Sequence, residues 1–130
     1  MLDFIPPWIV AVVQILVALG IVQFWVKWFH TEHNEPWLPT GYTVHERCFV
    51  YPDSLLALLL VASAILLILD VPIGERLTLV SGGMMLFLLV IDTAYYFQNG
   101  MFAKERGGPE NLRLSLLLTV VSLLLILRFI

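Results

Sequence analysis

The segment WIVAVVQILVALGIVQFWVKWF, residues 8–29, decides the fold class of this chain. Only Gln14, Gln23 and Lys27 interrupt 22 residues that are otherwise apolar, aromatic or glycine. A helix of this length is about 33 Å long, which matches the hydrocarbon thickness of a bilayer, about 30 Å. The segment therefore predicts a transmembrane helix.

Three further apolar runs have the same character and cover residues 54–71, 77–97 and 112–130. Transmembrane strands are shorter and alternate in polarity, and backbone groups in lipid must find their hydrogen-bond partners within the spanning structure. We therefore expect an all-α, polytopic membrane protein. Its four transmembrane helices would form an up-down antiparallel bundle, and residues 1–130 would make a single domain.

The composition of the 130-residue chain supports this interpretation. Hydrophobic residues make up 60 % of it and charged residues 13 %, about half the roughly 25 % of a soluble protein. The net charge of −3 comes without a basic tract, so nucleic acid is not an expected partner. The lipid bilayer is the expected surrounding, and a homo-oligomer or a larger membrane complex is compatible with the sequence.

Basic residues near the predicted span ends are distributed unequally between the two sides of the bundle. Five lie on the side of the loops 30–53 and 98–111, and two lie on the side that holds both termini. The positive-inside rule then predicts both loops in the cytoplasm and both termini outside, in a plasma (inner) membrane. The five are Lys27, Arg47, Lys104, Arg106 and Arg113, and the two are Arg76 and Arg128.

Asp92 is the most informative polar residue, because it lies inside the predicted span 77–97. A carboxylate at that depth costs several kcal/mol unless it faces the bundle interior or has a partner. Helical spacing places polar residues on the same face, and a second polar stripe ends the first span, so we expect a pocket towards the loop side. The predicted ligand-binding residues are Asp92, Tyr95, Tyr96, Gln23, Lys27 and His30.

Two interpretations of the cation nearest to this pocket stay open. The first and third spans run in the same direction, so an ion pair between Lys27 and Asp92 is geometrically reasonable. In the alternative, Lys27 extends to the lipid headgroups and Asp92 hydrogen-bonds Tyr95 or Gln23. Gln14 lies elsewhere on the first helix and is expected to make an interhelical hydrogen bond.

The loop 30–53 holds all three histidines and the only cysteine. Imidazole and carboxylate groups bind divalent transition metals, and the possible ligands here are His30, His33, His45 and Glu46. The pattern is unspecific, because HxxH is common by chance and the chain lacks HExxH and CxxC. A divalent transition metal is therefore a permitted cofactor but not the favoured one.

The same loop is expected to form an ordered cap over the open end of the bundle. Its aromatic residues are typical membrane-interface anchors, and its prolines limit the entropy lost on ordering. At least one of the four possible metal ligands should then reach the pocket around Asp92.

The sequence thus predicts a small integral membrane protein with a polar intramembrane pocket. The pocket would bind a small amphiphile, a lipid headgroup or a cation, and the protein would act alone or as an accessory subunit. Three alternatives stay open: a metal-dependent membrane enzyme that uses the His/Glu loop, a small proton-coupled transporter with Asp92 as carrier, and a structural subunit of a membrane complex.

Overall fold

The computed structural model describes residues 2–103 and 107–130, and the regular structure in these ranges is helical. Four segments are long and apolar enough to cross a membrane, one of them, Tyr42–Ile68, containing both α2 and α3. The all-α class and the four candidate spans are therefore confirmed. The helices are α1 (Pro7–Phe29), α2 (Tyr42–Arg47), α3 (Val50–Ile68), α4 (Ile73–Gln98) and α5 (Gly108–Phe129).

The last three helices each begin four residues before the apolar run that predicted them. Helix α3 begins at Val50, α4 at Ile73 and α5 at Gly108. Apolar runs locate the lipid-facing part of a helix, whereas its first turn also accepts proline and acidic side chains. Asp53 and Glu110 occupy such first turns.

Helix α1 packs against α3, α3 against α4, and α4 against α5. Gln14 joins the first three of these helices, since its Nε2 donates to Ser63 Oγ at 2.7 Å and to Thr78 Oγ1 at 3.1 Å. The two hydroxyls donate onward to backbone carbonyls of their own helices, those of Leu60 and Gly74. The interhelical hydrogen bond expected of Gln14 is confirmed.

Two glycines allow the helices to approach closely. A Cβ on Gly74 would lie 2.8 Å from the backbone nitrogen of Leu67, where the turn from α3 brings α4 back against it. A Cβ on Gly82 would lie 3.0 Å from Ile126 Cγ1, between α4 and α5. Gly83 has nothing within 4 Å of the same position, so only one of the two adjacent glycines serves packing.

Helices α1 and α5 do not pack extensively against each other in the described part of the chain. They are linked at the chain termini, where Arg128 Nε donates to the Ile5 carbonyl oxygen at 2.7 Å. Arg128 Nη1 also lies 3.9 Å from Asp3 Oδ1. Away from this contact, residues of both helices line a cavity.

Candidate ligand-binding cavity

The cavity has a volume of about 640 Å³ and is lined by α1, α3, α4, α5 and one residue of α2. Its opening lies between α1 and α5, because Leu16 and Leu117 line it and are still 62 % and 60 % exposed. Along α1 it extends from Val13 to Lys27, about 21 Å at the helical rise. It is therefore long and narrow, and open along one side.

One part of the cavity is apolar and the other carries carboxyl groups. Leucine, valine and methionine side chains of α1, α4 and α5 form the apolar part, which includes Val17, Met85 and Val121. Polar side chains contributed by four helices form the other part, which we call the acidic end. The acidic end consists of Gln23, Lys27, Glu46, Asp53, Asp92 and Tyr96.

The three carboxyl groups of the acidic end come from three different helices and interact electrostatically with one another. Asp53 Oδ2 accepts a hydrogen bond of 3.0 Å from Trp25 Nε1. Glu46 is only 6 % exposed, and Asp92 is half-buried. Neither of these two has a hydrogen bond or an ion pair with any residue that the structure describes. The acidic end therefore holds one buried and one half-buried carboxyl group without a partner among the described residues.

Aromatic contacts hold the segment that carries Glu46. His33 Nε2 lies 2.9 Å from the Trp28 carbonyl oxygen, and the two rings have centroids 4.4 Å apart. Trp28 Nε1 donates to Tyr42 Oη at 3.4 Å, at the first residue of α2. Gly41, with φ of 80°, makes the left-handed turn that starts α2. These contacts agree with the expected ordered cap.

His45 of α2 lies against Tyr95 of α4. The two rings are stacked, with centroids 3.9 Å apart and planes within 8°. Nε2 of His45 is buried and has no hydrogen-bond partner among the described residues. Because His45 contacts Tyr95 and Glu46 lines the cavity beside Asp92, the predicted approach of the loop to the pocket is confirmed.

The six predicted ligand-binding residues divide into two groups. Asp92, Tyr96, Gln23 and Lys27 line the cavity. The other two have different surroundings: Tyr95 stacks on His45, and His30 Nδ1 lies 2.7 Å from the Val26 carbonyl oxygen on the outer face of α1.

Lys27 and Asp92 share the cavity but form no ion pair in the described part of the chain. Lys27 is exposed at the rim, which agrees with the alternative in which it extends towards the headgroups.

The four possible metal ligands are not brought together. Within the described residues there is no group of three or more His, Cys, Asp or Glu side chains arranged to hold a metal ion. His30 and His33 contact backbone carbonyl oxygens, while His45 contacts aromatic rings. Of the four, only Glu46 lines the cavity.

Asp53 lines the cavity but is not one of the six predicted ligand-binding residues. Asp53, Leu56, Leu60 and Ser63 follow one another at helical spacing, and the last three are buried. This stripe is the signal that could have placed Asp53 on the inner face of α3. Helix α5 was also missed as a cavity wall, because its leucine-rich sequence does not distinguish a lipid-facing side from a cavity-facing side.

No protein-family model matches this chain, and comparison with curated proteins and with solved structures finds no match. Functional conclusions therefore rest on the chemistry of the cavity. Its shape suits a molecule with an elongated apolar part, and its carboxyl groups suit a polar group of positive charge.

Proposed function

We propose that the protein is an integral membrane protein in which one domain, 1–130, forms an up-down antiparallel bundle of four spans. The Gln14–Ser63 and Gln14–Thr78 hydrogen bonds support this arrangement, because they pair an early part of α1 with a late part of α3 and an early part of α4. The contact between Arg128 and Ile5, near the two ends of the chain, supports it as well.

The orientation that we propose has both termini outside and the loops 30–53 and 98–111 in the cytoplasm of a plasma (inner) membrane. The five-to-two distribution of basic residues supports it, although Lys104 and Arg106 lie outside the described residues. Cys48 is an exposed, free cysteine and provides the test. A membrane-impermeant thiol reagent should label Cys48 only after lysis; strong labelling of intact cells would reverse the orientation.

We propose that the function of the cavity is to bind a small amphiphile, with the protein acting alone or as an accessory subunit. The observation that carries this proposal is one continuous cavity that has an apolar part, an acidic end and an opening between two helices that face lipid. Its volume of about 640 Å³ lies within the roughly 300–1,000 Å³ of small-molecule sites. An amphiphile could move in from the bilayer without leaving the apolar phase.

Lipid chains are about as apolar as leucine, so moving an apolar chain from the bilayer into the cavity gains little free energy. The apolar part therefore determines the shape of the ligand, and the acidic end must supply most of the affinity. This division of roles distinguishes the cavity from an apolar pocket in a soluble protein, where chain burial alone contributes about 0.8 kcal/mol per CH₂.

The proposal is tested with a pair of glycine variants. Gly20 lines the cavity and Gly83 does not, and a Cβ on either would meet nothing within 4 Å. Gly20→Leu should fill part of the cavity without a clash, whereas Gly83→Leu should add the same side chain on the outer face of α4. Both substitutions also make the same change in helix propensity.

The measurement is native mass spectrometry of protein extracted from membranes in mild detergent. The wild type and Gly83→Leu should retain one bound amphiphile per chain, and Gly20→Leu should lose it. Equal retention by all three proteins, or no bound amphiphile in the wild type, would contradict the proposal.

A further inference from the structure

We infer that the cavity selects amphiphiles whose polar group is a primary ammonium, held between Glu46, Asp53 and Asp92. This inference deepens the proposed function and rests on it. It identifies the chemical class of the ligand from the polar atoms that the cavity leaves without partners.

Two carboxyl groups on the cavity wall lack partners among the described residues. Glu46 is 6 % exposed and lines the cavity, yet its carboxyl group has no partner among the described residues. Asp92 on α4 is half-buried and also has no partner among the described residues. Buried charges in proteins are normally paired, because leaving one unpaired costs several kcal/mol. A cation that enters the cavity would supply the missing partner.

The described chain does not supply this cation itself. Lys27 is the one described basic residue that lines the cavity, and it is exposed at the rim without an ion pair. The guanidinium of Arg128, by contrast, is engaged near the termini with Asp3 and Ile5. No described residue therefore brings a complementary positive charge to the carboxyl groups of the acidic end, and we expect the ligand to supply it.

The size and donor count of the cation bear on its identity. The carboxyl groups interact over a distance, but they do not form a group arranged to hold a metal ion. A primary ammonium is larger than a bare metal ion and carries three N–H donors. Its three N–H groups can donate to more than one carboxyl group of the acidic end, and the Trp25 hydrogen bond keeps Asp53 in place for it.

A trimethylammonium group fits less well. It has no N–H donor and is usually recognised by a cage of aromatic rings. The aromatic residues of the cavity wall are Phe24 and Tyr96, while Tyr95 is stacked on His45. The acidic end therefore offers hydrogen-bond acceptors rather than an aromatic cage.

Two sources share this ammonium chemistry. One is a free long-chain amine, and the other is an ethanolamine phospholipid, whose phosphate would lie between the ammonium and the apolar chain. Lys27 and Gln23 lie at the rim of the cavity and could bind that phosphate. The variant Lys27→Gln distinguishes the two sources. It should weaken binding of the phospholipid, whose phosphate would contact Lys27, and it should not affect binding of a free amine, which has no phosphate.

The experiment measures saturable binding to the full chain in nonionic detergent micelles. The probes are dodecylamine, dodecanol and dodecyltrimethylammonium, which share one apolar chain. Dodecylamine should bind about tenfold or more tightly than the other two. Glu46→Gln and Asp92→Asn should each weaken dodecylamine binding by about tenfold to a hundredfold, the equivalent of roughly 1.5–3 kcal/mol for a charge-assisted hydrogen bond. Glu75→Gln, an exposed change outside the cavity wall, should leave it unaltered.

The outcomes separate a failure of the ammonium inference from a failure of the proposed function. Equal binding of dodecylamine and dodecanol would overturn the ammonium inference and leave the amphiphile cavity intact. Saturable binding of none of the three probes would count against the proposed function itself. Gel filtration and thermal unfolding of each variant identify a folding failure, and Asp92→Asn serves as the second variant if Glu46→Gln does not fold.

The last comparison uses lysophosphatidylethanolamine. If it binds more tightly than dodecylamine and loses that advantage in Lys27→Gln, the ethanolamine headgroup is the natural source. If Lys27→Gln leaves the affinities for lysophosphatidylethanolamine and for dodecylamine unchanged, a free amine is the natural source.

Discussion

Two polar regions of this bundle differ in how far their side chains are hydrogen-bonded to other residues. Around Gln14, hydrogen bonds link α1, α3 and α4, with Nε2 donating to the hydroxyls of Ser63 and Thr78 and with Gln14 Oε1 left without a partner among the described residues. At the acidic end, Glu46 and Asp92 come from separate helices, and neither carboxyl group has a hydrogen bond or an ion pair with a described residue. The first region joins packed helices, whereas the second lines a cavity.

The difference follows from side-chain size and charge. Gln14 is surrounded by short hydroxyl side chains and by the close α3–α4 approach at Gly74, so its neighbours can close around it. Carboxyl groups of like charge repel, and a low-dielectric surrounding strengthens that repulsion. The protein thus places small neutral polar groups between packed helices and acidic groups on the wall of the cavity. We interpret the first region as structural and the second as functional.

The largest change in stability is expected from a substitution in the packed contact between α4 and α5. Gly82→Leu places a branched side chain where a Cβ alone would lie 3.0 Å from Ile126 Cγ1. Overpacking of this kind costs about 1–3 kcal/mol, or more where backbones must separate. Unfolding in mixed detergent micelles should show the loss for Gly82→Leu, and little change for Gly83→Leu. Equal losses for both would mean that α4 and α5 do not pack as described.

The second-largest change in stability is expected from a substitution beside the acidic end, at Trp25. Trp25→Phe removes the 3.0 Å hydrogen bond to Asp53 Oδ2, and a hydrogen bond to a charged group contributes about 1.5 kcal/mol or more. A double-mutant cycle with Asp53→Asn isolates this interaction from the change in ring size. Strictly additive effects of the two substitutions would show that the hydrogen bond contributes nothing.

A smaller effect of opposite sign is expected from Glu46→Gln. The substitution removes a buried carboxyl group that faces two others, so the ligand-free protein should become more stable by about 1 kcal/mol. The same variant should bind dodecylamine less tightly. Residues that serve binding often lower the stability of the ligand-free protein. Thermal unfolding without and with dodecylamine measures both effects. A loss of stability without ligand would indicate that Glu46 has a structural partner.

The smallest effect should come from Gln14→Leu, despite complete burial of this side chain. Ser63 and Thr78 would keep their bonds to backbone carbonyls, and the unpartnered Oε1 of Gln14 would be removed. Interhelical hydrogen bonds in membrane proteins contribute about 0.6 kcal/mol on average. Unfolding in mixed micelles should show a change of about this size. A loss as large as that of Gly82→Leu would make the Gln14 network a principal determinant of assembly.

Much of the candidate site could be predicted from local sequence, as Asp92 shows. Its place within an apolar run implies an inward direction, since a carboxyl group facing lipid is too costly. The same reasoning placed Gln23, Lys27 and Tyr96 on the cavity wall, where the structure has them. His30 does not line this cavity, because a residue at the end of a helix can turn to its own backbone carbonyls, as His30 does with Val26.

The sequence by itself determined the helices, because an apolar run of bilayer length has no other way to satisfy its backbone groups in lipid. It also determined that polar residues gather near α2 and the end of α4. Only the tertiary structure decided which helix faces meet, and hence that Glu46 and Asp53 join Asp92 in a cavity that α1 and α5 both line. The physical reason is that core-facing and lipid-facing sides are equally apolar in such helices, so their pairing depends on close approach at residues such as Gly82, which no hydrophobic pattern reveals.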